Sequence, residues 1–144
     1  MSRVCPTDPD GDSLMTKMTP KARNVFFVLL GVAALVLKRH YSGPFVEIIH
    51  SYSGNVSASF AVYFVVRILT SSWRYGGLAT AGIALLVVEL FEATNGFGVM
   101  TNVYDPVDFV ANALGVGLAL VFDTLVWSMR KIYVTEAEDK KQAA

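Results

Sequence analysis

Four stretches of this chain carry no aspartate, glutamate, lysine or arginine: Val25–Leu37, Asn55–Val66, Gly76–Val88 and Phe109–Phe122. Apolar residues occur on every side of these stretches instead of along one stripe, which indicates burial in lipid or among other helices. Runs of 13, 12, 13 and 14 residues are shorter than the roughly 20 that a membrane-spanning helix needs. Basic and aromatic residues at their ends, Arg23 and Lys38 among them, are expected at the membrane surface and can lengthen each span by about a turn.

The pattern therefore predicts four transmembrane helices, which we number as spans one to four. Their expected bounds are 21–38, 54–71, 76–94 and 106–128. Thr19 can cap the start of span one, and Pro20 fits its first helical position. Short loops between four such helices predict an all-α fold, a four-helix transmembrane antiparallel bundle. In the first outer loop, Phe45–Tyr52 places Phe45, Ile48, Ile49 and Tyr52 on one side of a helix. This segment is expected to be a short interfacial helix that lies on the membrane surface.

Composition favours a membrane protein over a soluble helical one. Hydrophobic residues make up 53% of the chain, mean hydropathy is +0.47, and all 12 basic and 12 acidic residues lie outside the four uncharged stretches. The lipid bilayer is thus the first expected partner. A formal net charge of zero gives no indication of a nucleic-acid partner.

The loop charges predict how the chain crosses the membrane. With a cytoplasmic N-terminus, ten basic residues lie inside, and only Lys38 and Arg39 lie outside. Basic residues are held on the cytoplasmic side, so both termini are expected there. Residues 1–18 are then a disordered cytoplasmic tail, 19–132 the membrane domain and 133–144 a charged cytoplasmic tail. No signal peptide is predicted, and Met1, Met15 and Met18 all remain possible start positions; Cys5, the single cysteine, is expected to be a tail thiol.

Acidic residues cluster at the predicted outer ends of spans three and four. Asp105, Pro106 and Asp108 occupy the first turn of span four, where carboxylates cap and stabilise a helix start. Glu89 and Glu92 lie on one face of span three at the same predicted depth. The candidate ligand-binding residues at this outer mouth are Glu89, Glu92, Asp105, Asp108, Asn112 and His50. Carboxylates this close would raise one another's pKa or hold a cation, so a divalent cation is a possible ligand.

Span four also carries a stripe of polar or small residues from one side of the bilayer to the other. The stripe comprises Asp108, Asn112, Gly115, Ala119 and Asp123, and it is expected to face protein instead of lipid. At its cytoplasmic end, Asp123 is expected to pair with Arg67, Arg74 or Arg130. Tyr63 and Phe64 are expected to be packing or lipid contacts.

The second half of the chain resembles the VanZ-like membrane proteins. The resemblance runs over spans two to four and rests on Glu89 or Glu92 in "VELFEA" and on Asp105, Asp108, Asn112 and Gly115 in "YDPVDFVANALG". It implies a protein of a prokaryotic plasma (inner) membrane, in a family whose namesake is associated with glycopeptide-antibiotic resistance. An outer acidic pocket would then bind an envelope precursor, a lipid or an antibiotic.

Two other functions remain open. Short spans with small-residue faces suit a structural or accessory subunit of a larger membrane complex. Clustered carboxylates with His50 could instead hold Mg²⁺ or Mn²⁺ for a metal-dependent enzyme acting on a lipid phosphate. The chain contains no phosphatase, kinase, protease or nucleotide-binding motif. The sequence therefore favours a binding protein over an enzyme and predicts no catalytic residue.

Overall fold

The computed structural model describes residues 19–71, 76–94 and 105–142 of the chain. These residues form four α-helices and no β-strand. The helices are α1 Pro20–Leu37, α2 Val46–Leu69, α3 Gly76–Ala93 and α4 Pro106–Gln142, and a 3₁₀ turn, Lys38–His40, follows α1. They correspond in order to spans one to four, so the all-α expectation is confirmed for the described part of the chain.

Two helices start where the sequence predicts. The Thr19 hydroxyl accepts a hydrogen bond from the Ala22 amide at 3.3 Å, and Pro20 fills the first helical position, where no amide hydrogen is needed. Asp105 does the same for α4, because its carboxylate accepts from the Val107 amide at 2.9 Å. The capping role expected for Asp105 is therefore real.

The structure corrects the prediction of a separate surface helix. Val46–Leu69 is one continuous helix, so the segment around Tyr52 and the apolar segment after Gly54 belong to the same element. The polar run "HSYSGN" does not break the helix, and within it the Ser53 hydroxyl donates to the Ile49 carbonyl. The chain turns instead at Phe45, whose φ of 61° is left-handed.

α2 is the central helix and contacts each of the other three. Phe64 stacks on Phe27 of α1 with ring centroids 4.7 Å apart. The Thr70 and Thr80 hydroxyls join α2 to the start of α3 at 3.0 Å. The Ser59 hydroxyl donates to Asn112 of α4 at 2.6 Å. This position explains how α2 carries so many polar groups, since their partners lie inside the protein.

The predicted stripe on α4 faces protein along its whole length. Asp108, Asn112, Gly115, Ala119 and Asp123 are all buried. Gly115 brings α4 against the backbone of α2, and a β-carbon at that position would overlap the Val56 carbonyl. The stripe is therefore a helix-packing face, as expected for small residues between helices in lipid.

Three of the helical segments are long and apolar enough to cross a membrane: Pro20–His40, Gly76–Ala93 and Pro106–Ile132. Large apolar side chains cover their outer surfaces, and Leu78 is 78% exposed. Exposed patches of this extent suit lipid and not water. α2, the second predicted span, is not one of these three segments.

α4 extends beyond its predicted end near residue 128. The helix continues to Gln142 and has 37 residues, a length of about 55 Å. Most of the predicted C-terminal tail is therefore helical, which agrees with its content of good helix formers. The predicted N-terminal tail, with Cys5, lies outside the described residues, as do Arg74 and the loop 95–104.

Candidate functional site

A cleft of about 430 Å³ opens between the helices at the end where α1 finishes. All four helices contribute to it, and most of its wall is apolar. The lining residues are Leu35, Lys38, Gly54, Asn55, Ala58, Ser59, Val62, Val87, Val88, Phe91, Glu92 and Asn112. The volume lies within the range of small-molecule sites in proteins.

The polar floor of the cleft is built by Asn112 and Ser59. The Ser59 hydroxyl is fully buried and lies 2.6 Å from both the Asn112 amide oxygen and the Asn55 carbonyl oxygen. The close approach at Gly115, one turn along α4, brings the two side chains together. The carbonyl oxygen of Asn112 is thus occupied, and its amide NH₂ group, which donates to no described residue, remains available to a ligand.

Opposite charges line the cleft. Lys38 lies in the 3₁₀ turn after α1, and its ammonium lies over Gly54 and donates to the His50 carbonyl at 3.2 Å. Glu92 comes from the last turn of α3. A cation, a carboxylate and the Asn112 amide therefore face one largely apolar space, an arrangement that can hold a polar headgroup beside an apolar chain.

The other predicted site residues lie around this cleft and not in it. The Tyr52 hydroxyl donates to Asp105 at 3.4 Å. The Asp105 carboxylate raises the pKa of the Tyr52 phenol, so this donor stays protonated at neutral pH. Asp108 is buried one turn into α4. His50 faces the turn after α1, where its ring nitrogen lies 3.1 Å from the Tyr41 carbonyl oxygen.

The expected convergence of carboxylates and His50 on one cation is wrong for the described residues. Among them, no three His, Cys, Asp or Glu side chains lie close enough together to hold a metal ion. Glu92 lines the cleft, Asp105 is engaged with Tyr52, and His50 is turned toward Tyr41. Glu89 has one buried carboxylate oxygen that no described residue hydrogen-bonds. The acidic residues therefore do not share one site, because the helices place them next to different neighbours.

A second polar cluster lies at the opposite end of the helices, around Asp123. Arg23 of α1 donates to one carboxylate oxygen at 2.7 Å. Arg67 and Tyr63 of α2 donate to the other at 3.0 and 3.1 Å. The Asn24 amide oxygen in turn accepts two hydrogen bonds from Arg23. The predicted pairing of Asp123 with Arg67 is confirmed.

The sequence did not identify three of these polar side chains. Lys38 and Arg23 were expected to be membrane-surface anchors, and Tyr63 a packing residue. Tyr63 is fully buried, and its hydroxyl bonds Asp123. Its spacing of four residues from Arg67 puts both on one face of α2, which is the signal that could have linked them. No comparable local signal exists for Arg23, which lies 100 residues from Asp123 in the chain.

Comparison with known proteins adds no assignment: no family model, no curated protein and no solved structure matches this chain.

Proposed function

We propose that this chain is a small multi-pass membrane protein that binds an amphiphile in the cleft between its helices. The observation that carries the proposal is the cleft itself, with its apolar wall and its polar groups Lys38, Glu92 and Asn112. The apolar chain of a ligand would lie along Val62, Val87 and the residues beside them. Its headgroup would meet the charged side chains and the free amide of Asn112.

The position of the cleft suits a ligand that arrives from the bilayer. Lys38 follows a helix long enough to cross a membrane, so it lies at one membrane surface. The charge distribution favours the outer membrane surface for the cleft, with both termini inside and the four helices in an antiparallel bundle. The VanZ-like resemblance implies that this membrane is a prokaryotic plasma membrane. An amphiphile in the outer leaflet would place its headgroup at the depth where the cleft is polar. Its chain would lie at the depth where the cleft is apolar.

The VanZ-like resemblance agrees with this class of ligand. In that reading the amphiphile is an envelope precursor, a lipid or an antibiotic, and antibiotic resistance follows from its capture. Asn112 lines the cleft, and Gly115, another residue of the resemblance, brings α4 against α2 beneath it. Lys38 and Glu92 carry opposite charges and both line the cleft, which favours a zwitterionic headgroup.

The cleft can be tested by filling it. Ala58 lines the cleft and is exposed, so Ala58→Phe should occupy the space without disturbing the buried core. We expect purified protein in mild detergent to bind lysophosphatidylethanolamine saturably, and Ala58→Phe to bind it about tenfold more weakly or worse. Isothermal titration calorimetry or native mass spectrometry would measure both.

Ala113→Phe is the matched control, because Ala113 is exposed on α4 and does not line the cleft. It should bind the probe like the unmodified protein. Equal binding by Ala58→Phe and the unmodified protein would show that the cleft is not the site.

An accessory role in a membrane complex is the second candidate. Gly82 on α3 is exposed, and no described atom lies within 4 Å of the place where its β-carbon would be. Glycine within a helix costs about 1 kcal/mol relative to alanine, so a close approach by another helix would explain it. Gly82→Leu should then abolish copurification of a partner subunit, and a monodisperse monomer in mild detergent would contradict this role.

A further inference from the structure

The Asp123 cluster carries more positive than negative charge. Two guanidinium groups, of Arg23 and Arg67, share the single carboxylate of Asp123. No other described acidic side chain pairs with either arginine. The start of α3 lies against the same carboxylate, since a β-carbon on Gly77 would be 4.0 Å from it, and a helix start adds partial positive charge. The cluster therefore lacks one negative charge.

Both arginines have hydrogen-bond donors left over. Arg67 uses only its Nε atom on Asp123, and its two terminal NH₂ groups donate to no described residue. Arg23 uses Nε and one terminal nitrogen, which leaves the other. A fully buried nitrogen without a partner would count as a buried unsatisfied polar atom, and among the described residues no arginine nitrogen does. The unused donors therefore reach the protein surface, where an anion could meet them.

The depth of the cluster matches that of lipid phosphates. The segment Pro20–His40 has 21 residues, about 31 Å of helix, which is close to the thickness of the hydrocarbon layer. Arg23 is the fourth residue of this helix and so lies within a turn of the membrane boundary. A guanidinium at that level borders the hydrocarbon layer on the side toward the bilayer centre, where there is no bulk water. Its uncompensated charge therefore favours an anionic partner.

We propose that the free donors of Arg67 and Arg23 bind a phosphate group, that of a membrane phospholipid at the end of the bundle where α1 begins. Guanidinium groups match phosphate oxygens in geometry and bind them through paired hydrogen bonds. The phosphate supplies the missing negative charge, while Asp123 keeps both arginines in position. This site is separate from the cleft and shares with the proposed function only the premise that α1 crosses the membrane.

The test is a thermal-shift titration of delipidated protein in a neutral detergent. The probes are short-chain phosphatidylglycerol, a neutral glycolipid of equal chain length without phosphate, and inorganic phosphate. We expect phosphatidylglycerol to raise the unfolding temperature of the unmodified protein and the glycolipid to leave it unchanged. Inorganic phosphate with the same effect would identify free phosphate as the source of the bound group; a shift with the lipid alone would identify the phospholipid.

Arg67→Lys keeps the charge and the pairing with Asp123 but removes the forked donors. Its apparent affinity for the phosphate probe should fall about tenfold or more, whereas Arg130→Lys, an exposed arginine on α4, should change nothing. Arg23→Lys is the second variant if Arg67→Lys does not fold. Equal shifts with phosphatidylglycerol and the glycolipid, or an unchanged affinity in the lysine variant, would overturn the proposal.

Discussion

At the scale of single residues, Asp123 is the most constrained position in the described structure. Its carboxylate is almost fully buried and is shared by Arg23, Arg67 and Tyr63, which come from two different helices. A buried ion pair is weak grounds for overall stability, but removal of one partner leaves the others charged and unpaired. The buried pairs Ser59–Asn112 and Thr70–Thr80 are uncharged and therefore matter less.

Asp123→Asn should destabilise the protein by roughly 3–5 kcal/mol, because Arg23 and Arg67 lose the only carboxylate that pairs with them among the described residues. Denaturant unfolding in detergent would measure the change. Glu47→Gln, which removes an exposed carboxylate from α2, should stay within about 0.5 kcal/mol of the unmodified protein. A comparably small effect of Asp123→Asn would mean that the cluster does not hold the helices together.

Sequence reasoning identified this cluster only in part. The stripe on α4 predicted that Asp123 faces protein, and the nearness of basic residues to the same membrane surface predicted Arg67 as a partner. Arg23 could not be assigned, because a basic residue near the end of a span is expected at the membrane surface whether or not it has a partner. The same argument applies to Lys38, whose place in the cleft depends on the packing of α1 against α2.

At the scale of helices, the contact between α2 and α4 determines the shape of the cleft. Gly115 lets the two backbones meet, and Asn112 and Ser59 join one turn away. On the other side of α2, Gly31 of α1 makes a looser contact of the same kind, with a β-carbon position 3.0 Å from Ala61. Small residues on α1 and α4 thus let both helices pack closely against α2, which lies at the centre of the fold.

Gly115→Ala should destabilise the protein by about 1–3 kcal/mol, because the added methyl group overlaps the α2 backbone and forces the helices apart. Gly117→Ala is the matched control two residues away, where no described atom lies within 4 Å. This control should be neutral or stabilising by up to about 1 kcal/mol, since alanine favours a helix. Unfolding in detergent compares the two, and equal behaviour would contradict the packing described for Gly115.

Helix existence was easier to predict than helix bounds. Charge-free stretches predicted all four helices, and Thr19 and Asp105 with their following prolines predicted two of the starts. The start of α2 was missed because serine, glycine and asparagine near Gly54 usually signal a break. In the structure the Ser53 hydroxyl bonds within the helix, and the Lys38 side chain covers Gly54. Tertiary contacts outweigh local preference there.

At the scale of the whole molecule, the number of membrane crossings is the decisive quantity. Three helical segments have the length and apolar character of spans, and α2, at the centre, is not among them. If α2 crosses the membrane, the chain crosses four times, and both termini lie on one side. If α2 does not cross, the termini lie on opposite sides. The excess of basic residues on the predicted inner loops favours the first arrangement.

Cysteine labelling distinguishes the two. Cys5 is the only cysteine, so a membrane-impermeant maleimide should label the unmodified protein in inverted vesicles and not in right-side-out ones. A Cys5→Ser protein carrying Ala144→Cys should behave identically, and one carrying Ser42→Cys should react only from the outside. Opposite sidedness of residues 5 and 144 would exclude the four-span arrangement.

The length of α4 has a practical consequence. Ten residues of helix separate Ile132, where the apolar segment stops, from Gln142, which projects the backbone about 15 Å past the lipid-facing part. A rigid helical carrier domain grafted onto α4 in register would therefore stand clear of a detergent micelle or nanodisc. The protein has a mass of only 15.7 kDa. Such a carrier domain would add the mass and asymmetry that particle alignment in electron cryomicroscopy requires.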